Sequence, residues 1–239
     1  MKKLIITAAM AGMTLLTHAQ LAKVGTPQPL LQGVQSEMYN PVLSQDGTQL
    51  MFSDVDYTNP RVYDMTDNVT VKIQAAPASV MLAHPAAKTV ATGAAAVRTE
   101  GSTLYIKKNG TERAYSPVEC AAGYCWAQLS PDGTKVVFLA AGRGLVVCDM
   151  QGNVIARPGN YESPAWYGNN HLVVQNATSD GHNIASSQIL LVALDGTAQA
   201  LTKPESMTMT PTASAQAGLV VFSTIDGRLY KQTVTLNDK

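Results

Sequence analysis

The sequence predicts an all-β fold, a β-propeller of about five four-stranded blades. A strand–turn–strand unit occurs twice in nearly the same form, at residues 39–52 and 125–138. Related units follow one another at intervals of 39, 47, 37 and 47 residues, close to the roughly 40–45 residues of a propeller blade. Charged residues make up only 14% of the chain, and no stretch shows the periodicity of an amphipathic helix.

The first two strands of each unit are predicted from a Leu-Ser-x-Asp-Gly turn. This turn follows Leu43 in the first unit and Leu129 in the third, and an apolar run follows the turn in both. Glycine accepts the positive φ that a tight hairpin requires, so the pattern predicts two antiparallel strands. In the second, fourth and fifth units the leucine position is occupied by Leu82, Trp166 and Ala213.

The third and fourth strands are predicted from a second landmark. Apolar runs that end in a polar hairpin turn lie at residues 62–68, 104–110, 145–152 and 189–196. A fourth strand follows in several units, as at residues 154–156 and 198–202. The five units are therefore predicted at about residues 36–76, 77–117, 118–158, 159–204 and 205–239.

The fifth unit lacks a fourth strand, because the sequence ends soon after its third strand at residues 228–235. Residues 21–31 precede the first unit and belong to none. We predict that they pair with the third strand of the fifth unit, because closing the ring in this way removes an exposed sheet edge. Residues 20–239 would then form a single propeller domain.

The N-terminus predicts export. Lys2 and Lys3 precede an apolar run of 13 residues that starts at Leu4, and Ala19 offers a cleavage position before Gln20. This is typical of a secretory signal peptide at residues 1–19, with an uncleaved anchor as the alternative, and it predicts a periplasmic or secreted bacterial protein.

The composition excludes some partners. The mature chain would have 220 residues, with 15 basic against 17 acidic side chains, a formal charge of −2. It has no basic patch for nucleic acid and no second apolar stretch of membrane length. We expect a monomer that needs no cofactor.

The cysteines predict one small disulfide. Cys120 and Cys125 bracket a four-residue loop and would bridge in an oxidising compartment, with two buried thiols as the alternative. Cys148 lies in an apolar run and is predicted to be a core thiol. One Cys-x4-Cys pair is an incomplete metal site, and His84, His171 and His182 fall in different units without ligand spacing, so no metal site is predicted.

The turn motifs resemble a known repeat. Leu129-Ser-Pro-Asp-Gly-Thr-Lys-Val-Val-Phe138 and Asn40-Pro-Val-Leu-Ser-Gln-Asp-Gly47 resemble the PD40 type of WD40-like repeat found in TolB-like β-propellers. The resemblance covers most of the mature chain and implies a propeller fold. It implies no role in the Tol system, because TolB-like proteins carry an α/β domain before six blades, whereas this chain has about 20 mature residues before five units.

A ligand site is predicted where the inner strands begin. The aligned units place Met38, Pro77, Tyr124, Tyr161 and Thr208 at one ring position, and Tyr39, Ala78, Cys125, Glu162 and Met209 at the next. Aromatic stacking and a few hydrogen bonds could hold a peptide or glycan there. The predicted contact residues are Met38, Tyr39, Tyr124, Tyr161, Glu162 and Met209. The alternative is that these residues pack against neighbouring blades.

No catalytic residue is predicted. The inner-strand cores contain no Asp or Glu, and we expect Asp46 and Asp132 to cap their own turns. The sequence favours an exported, non-catalytic binding or scaffold protein of the cell envelope, which engages a protein, peptide or glycan ligand at the channel mouth. The alternative is a glycan- or peptide-active enzyme that uses rim carboxylates from Glu37, Glu119, Glu162 or Glu205.

Overall fold

Five antiparallel sheets form the blades of a β-propeller in the computed structural model of the 239-residue chain. The structure describes residues 20–33, 37–67, 74–75 and 95–237. The predicted signal peptide at residues 1–19 therefore lies outside the described residues. Within them, no helix has the length and apolar character needed to cross a membrane.

The strands are short and follow one another through hairpins, as the turn motifs predict. In chain order they are β1 (Ala22–Val24), β2 (Gln28–Pro29), β3 (Tyr39–Leu43), β4 (Gln49–Ser53), β5 (Arg61–Asp64), β6 (Gln74–Ala75), β7 (Ala95–Glu100), β8 (Thr103–Lys108), β9 (Thr111–Tyr115), β10 (Tyr124–Leu129), β11 (Lys135–Ala140), β12 (Gly144–Asp149), β13 (Val154–Gly159), β14 (Glu162–Tyr167), β15 (His171–Ser179), β16 (Ile184–Ala193), β17 (Ala198–Ala200), β18 (Thr208–Ser214), β19 (Leu219–Thr224) and β20 (Leu229–Leu236). One 3-10 helix, Pro204–Ser206, precedes β18.

Each blade is one sheet. The first contains β3 to β6, the third β10 to β13 and the fourth β14 to β17, each in sequential order. The fifth contains β18, β19 and β20 with β1 at its outer edge, and β2 also pairs with β20. The inner strands are β3, β10, β14 and β18, and β18 contacts both β14 and β3 across the blade boundaries.

The second blade is described as three strands, β7, β8 and β9. The amide of Tyr124 at the start of β10 donates to the Gly101 carbonyl, between β7 and β8, at 2.7 Å. The amide of Met38 donates in the same way to the Gly227 carbonyl, between the second and third strands of the fifth blade, at 2.8 Å. By this correspondence β7 to β9 are the second, third and fourth strands of their blade. The inner strand predicted around Leu82 lies outside the described residues.

Ring closure by the N-terminal segment is confirmed. Residues 22–24 pair antiparallel with residues 234–236 of β20, and Gln28 pairs with Lys231. The Gln199 side chain, on the outer strand of the fourth blade, also accepts from the Ala22 amide and donates to the Ala22 carbonyl, both at 2.9 Å. The closing strand is thus bonded to two blades.

The hydrophobic core lies between neighbouring blades. Val136 and Phe138 of β11 pack with Leu104 of the second blade, whereas the intervening Val137 packs with Trp166 of the fourth. Successive side chains of a strand face opposite sides, so a strand with both faces covered needs a continuous apolar run. Burying each large side chain contributes about 1.5–3 kcal/mol.

The Ser-x-Asp-Gly-Thr turn is held by the same hydrogen bonds in two blades. Ser130 Oγ and the Thr134 amide and hydroxyl donate to Asp132 Oδ1 at 2.5, 3.0 and 2.8 Å, and the Lys135 amide donates to Ser130 Oγ at 2.9 Å. The turn of the first blade repeats these bonds with Asp46 as the acceptor, at 2.6, 3.0, 2.9 and 2.9 Å. The prediction that these aspartates cap their own turns is confirmed.

Candidate functional site

The candidate site lies where the inner strands β3, β10, β14 and β18 begin, which we call the entry mouth. Two of the predicted contact residues, Met38 and Tyr124, are buried there instead of facing solvent. Their amides are bonded to the hairpin of the preceding blade. The Tyr124 ring packs on Phe138 at 4.7 Å, and its hydroxyl donates to the Val118 carbonyl. Met38 and Tyr124 are therefore packed inside the propeller, whereas Tyr161, at the same ring position, is half-buried.

The next ring position is open to solvent in every described blade. Tyr39, Cys125 and Met209 are half-buried and Glu162 is exposed. Burial, Glu162 and Cys120 each raise the pKa of the Cys125 thiol. The strands β10 and β14, which carry Cys125 and Glu162, contact each other across the blade boundary. Tyr161, the remaining predicted contact, is also half-buried and precedes Glu162.

Every described inner strand carries a β-bulge one residue further on. The pairing register shifts at the same place in β3, β10, β14 and β18. The bulged residue has a left-handed backbone in each case: Asn40 (φ 53°), Trp126 (φ 56°), Ser163 (φ 45°) and Thr210 (φ 43°). Bulges re-aim side chains, and a left-handed tryptophan is a genuine conformational outlier. Trp126 is half-exposed at the entry mouth.

Sequence reasoning missed these bulges, although a signal was present. Pro41, Pro164 and Pro211 follow the bulged residue in three of the four strands. Proline cannot donate to a sheet ladder and is found at bulges and edges, so a proline repeated at one position of an inner strand indicates a bulge there.

Side-chain hydrogen bonds hold the bulges in place. Asn40 Nδ2 donates to Ser53 Oγ and to the Asp54 carbonyl, both at 3.1 Å. Thr210 Oγ1 and Ser223 Oγ are 2.8 Å apart, at the corresponding position of the fifth blade. In the first and fifth blades, these bonds join the first and second strands at the bulge.

Tyr39 joins the first blade to the fifth. Its hydroxyl donates to the Ile225 carbonyl, in the hairpin between β19 and β20, at 3.0 Å. Burial, Glu37 and Asp226 raise the pKa of the Tyr39 hydroxyl, in that order. The phenol therefore remains neutral at physiological pH, and its environment is negative.

A cavity of about 540 Å³ lies beside Tyr39, where the closing segment returns to the first inner strand. We call it the seam cavity. Its walls come from residues 29–33, from Glu37 and Met38, and from residues 226–230. Such a volume is within the range of small-molecule and side-chain pockets. No feature of the sequence predicts this cavity, because its walls come from opposite ends of the chain.

Of the four carboxylates considered for an enzyme, the structure brings one beside another acid. Glu37 approaches the hairpin that carries Asp226, and a Cβ atom added to Gly227 would lie 2.9 Å from the Glu37 Cβ. Glu119, Glu162 and Glu205 are exposed and belong to separate segments. Among the described residues, no group of three or more His, Cys, Asp or Glu side chains could hold a metal ion.

The predicted disulfide between Cys120 and Cys125 is not formed, and both residues are free thiols, as is the buried Cys148. Cys120 points into the core, where its Sγ lies 3.3 Å from the Gly123 and Ala141 carbonyls. Cys125 instead belongs to the half-exposed ring of the entry mouth. The turn between them directs the two side chains to different environments.

Comparisons with known proteins identify no family. No family model and no curated protein matches the chain. One similar solved structure is from a structural and mechanistic analysis of two prolyl endopeptidases, with a TM-score of 0.47, 14% identity, and coverage of 63% of this chain but 29% of that one. Another is the β-propeller domain of Myceliophteria thermophila Cps50 (Swd1), with a TM-score of 0.47, 13% identity, and coverage of 79% of this chain and 67% of that one.

Proposed function

We propose that this protein is an exported, non-catalytic binding propeller of the bacterial cell envelope, which holds a protein or peptide segment across its entry mouth. The observation that carries the proposal is the ring of solvent-accessible side chains at one position of each described inner strand. Tyr39, Cys125, Glu162 and Met209 form it, and the half-exposed Trp126 lies one residue further on.

The chemistry of this ring suits an extended peptide. Aromatic and methionine side chains offer adaptable apolar contacts, and they are enriched at protein interfaces. Glu162 and the Tyr39 hydroxyl add hydrogen-bonding groups that can fix orientation. The bulges at Asn40 and Thr210 are held by side-chain hydrogen bonds without a ligand, so binding there would lose little backbone entropy in the propeller.

Export is supported by the basic and apolar segment at residues 1–19, followed by Gln20. The test is intact-mass analysis of protein isolated from its native envelope. The mass should correspond to a chain that begins at Gln20 or its pyroglutamate form. Recovery mainly as a chain that begins at Met1 would contradict export by a cleaved signal.

Binding is tested by capture from an envelope extract. The mature protein is immobilised beside the variants Met209→Lys and Glu162→Gln, which change the entry mouth. Gln45→Lys is the control, because Gln45 is exposed in the turn between β3 and β4, at the opposite end of an inner strand. A partner retained by the wild type and by Gln45→Lys, but lost by Met209→Lys, supports the proposal. Equal retention by all variants would place binding elsewhere.

A further inference from the structure

The seam cavity is a consequence of ring closure. The chain leaves the edge of β20 after Pro29, and the Leu30 amide donates to the Leu229 carbonyl at 2.8 Å. The Met38 amide donates to the Gly227 carbonyl of the same blade at 2.8 Å. The seam cavity lies beside these two attachments, and Gly227 in its wall is close to the Tyr39 ring of the entry mouth.

The cavity has an apolar floor and a charged rim. Leu30, Leu31 and Leu229 are buried beneath it. Glu37 and Asp226 are exposed at its rim. A side chain with an apolar stem and a charged head matches such a surface, because the stem covers the floor while the head remains at the solvated rim.

The rim favours a cation. The guanidinium of Arg228 pairs with Asp226, with 3.1 Å between Nε and Oδ2. Within the described part of the chain, Glu37 has no cation within ion-pair distance of its carboxylate. The Cα and Cβ atoms of Glu37 also lie close to Gly227, the residue that follows Asp226 in the chain. The three charged groups that line the cavity, Glu37, Asp226 and Arg228, therefore sum to one negative charge. Arg61 lies beside this rim, where its guanidinium donates to the Glu37 main-chain carbonyl at 3.2 Å, but its own ion pair is with Asp54.

We propose that the seam cavity binds a long cationic side chain, lysine or arginine, from a peptide that lies across the entry mouth. This rests on the proposed function and names the chemistry of the partner. The methylene stem packs on the leucine floor and the charged head approaches Glu37. The Tyr39 hydroxyl is anchored to the hairpin of the fifth blade that also carries Asp226 and Gly227 of this pocket.

The test is an amide chemical-shift titration of the mature protein with two blocked pentapeptides, Ala-Ala-Lys-Ala-Ala and its norleucine counterpart, at millimolar concentration. The variants are Glu37→Gln and the control Glu205→Gln, which removes an exposed carboxylate outside the cavity. We expect the lysine peptide to shift the amides of Leu31, Gly227 and Leu229. Glu37→Gln should weaken its binding about fivefold or more, the loss expected for one charge-assisted contact.

Three outcomes would overturn the proposal: no shifts at the seam cavity, equal binding of the norleucine peptide, or unchanged binding in Glu37→Gln. Its failure is distinguishable from failure of the proposed function. If Met209→Lys loses the envelope partner while Glu37→Gln retains it, the proposal of binding at the entry mouth is supported and the proposal of a cation site in the seam cavity is wrong. If the lysine peptide binds through Glu37 but no envelope partner depends on Met209, the seam cavity does bind a cationic side chain and the proposed function is wrong.

Discussion

At the scale of single residues, the three cysteines occupy different environments. Cys120 and Cys148 are buried, and burial with the neighbouring Asp149 raises the pKa of the Cys148 thiol to about 12. Cys125 is half-buried at the entry mouth and has a raised pKa. The thiolate is the reactive form of cysteine. Cys125 should therefore be accessible to a thiol reagent but slow to react with it, and Cys120 and Cys148 should not react in the folded protein.

We therefore predict one thiol that reacts with a disulfide reagent in the native protein and three after denaturation without reductant. Cys125→Ala should remove the native reaction. Glu162→Gln should accelerate it a few-fold at pH 8, because loss of the nearby negative charge lowers the pKa of Cys125. A count of one thiol after denaturation would instead establish the bridge that the sequence predicts.

At the scale of elements, the Asp-capped hairpin turns hold the first two strands of a blade together. The Asp132 carboxylate accepts three hydrogen bonds, so Asp132→Ala leaves several donors without an internal partner. Because these donors are largely exposed and can bind water instead, we expect a loss of about 0.5–1.5 kcal/mol in the free energy of unfolding. Asp132→Asn retains an acceptor oxygen and should lose less. Urea denaturation measures both, and equal stability of Asp132→Ala and wild type would contradict this role.

The same turns predict acid sensitivity. Partial burial opposes ionisation of Asp132, but hydrogen bonds from Ser130 and Thr134 and the charge of Lys135 outweigh it and lower its pKa. Hydrogen bonds from Ser44 and Thr48 lower the pKa of Asp46. A lowered folded-state pKa means that the unfolded chain takes up the proton first. The stabilisation is complete above the unfolded carboxyl pKa of about 4 and is lost as the pH falls through the folded value.

We predict that the unfolding free energy of the wild type falls below about pH 4 and that Asp132→Asn shows a shallower fall. Denaturant titrations at a series of pH values measure the two slopes. Parallel curves for the two proteins would show that this turn does not contribute to acid sensitivity.

At the scale of the whole molecule, stability depends on the joint between the two ends of the chain. Ala22 is fully buried in the core shared by the fourth and fifth blades, whereas its neighbour Lys23 is exposed. The Tyr167 hydroxyl donates to the Val234 carbonyl in the same region. Opening the joint would uncover the edge of β20 and part of this core.

We predict that deletion of residues 21–31 destabilises the protein by several kcal/mol and increases its aggregation. Each kcal/mol lowers the melting temperature of a domain of this size by about 2–4 °C. Ala22→Asp should reproduce much of the loss, because it buries a charge, and the matched control Lys23→Asp should melt near the wild type. A deletion variant that melts within a degree or two of the mature chain would show that closure contributes little.

The sequence by itself determined the repeat, the five units, the capped turns and the closing segment. These features depend on local chemistry, because an Asp-Gly turn, a continuous apolar run and an unpaired edge have the same consequences in every blade. Only the tertiary structure decided which residues of the aligned rings face solvent. Successive side chains of an extended strand face opposite sides, and only the packing of the blades decides which side is covered, so Met38 and Tyr124 are buried while Tyr39 and Glu162 are accessible. The tertiary structure also decided where the seam cavity lies, and it placed Glu37 next to the hairpin that carries Asp226. Glu37 and Asp226 are almost 190 residues apart in the chain and come together only when the ring closes.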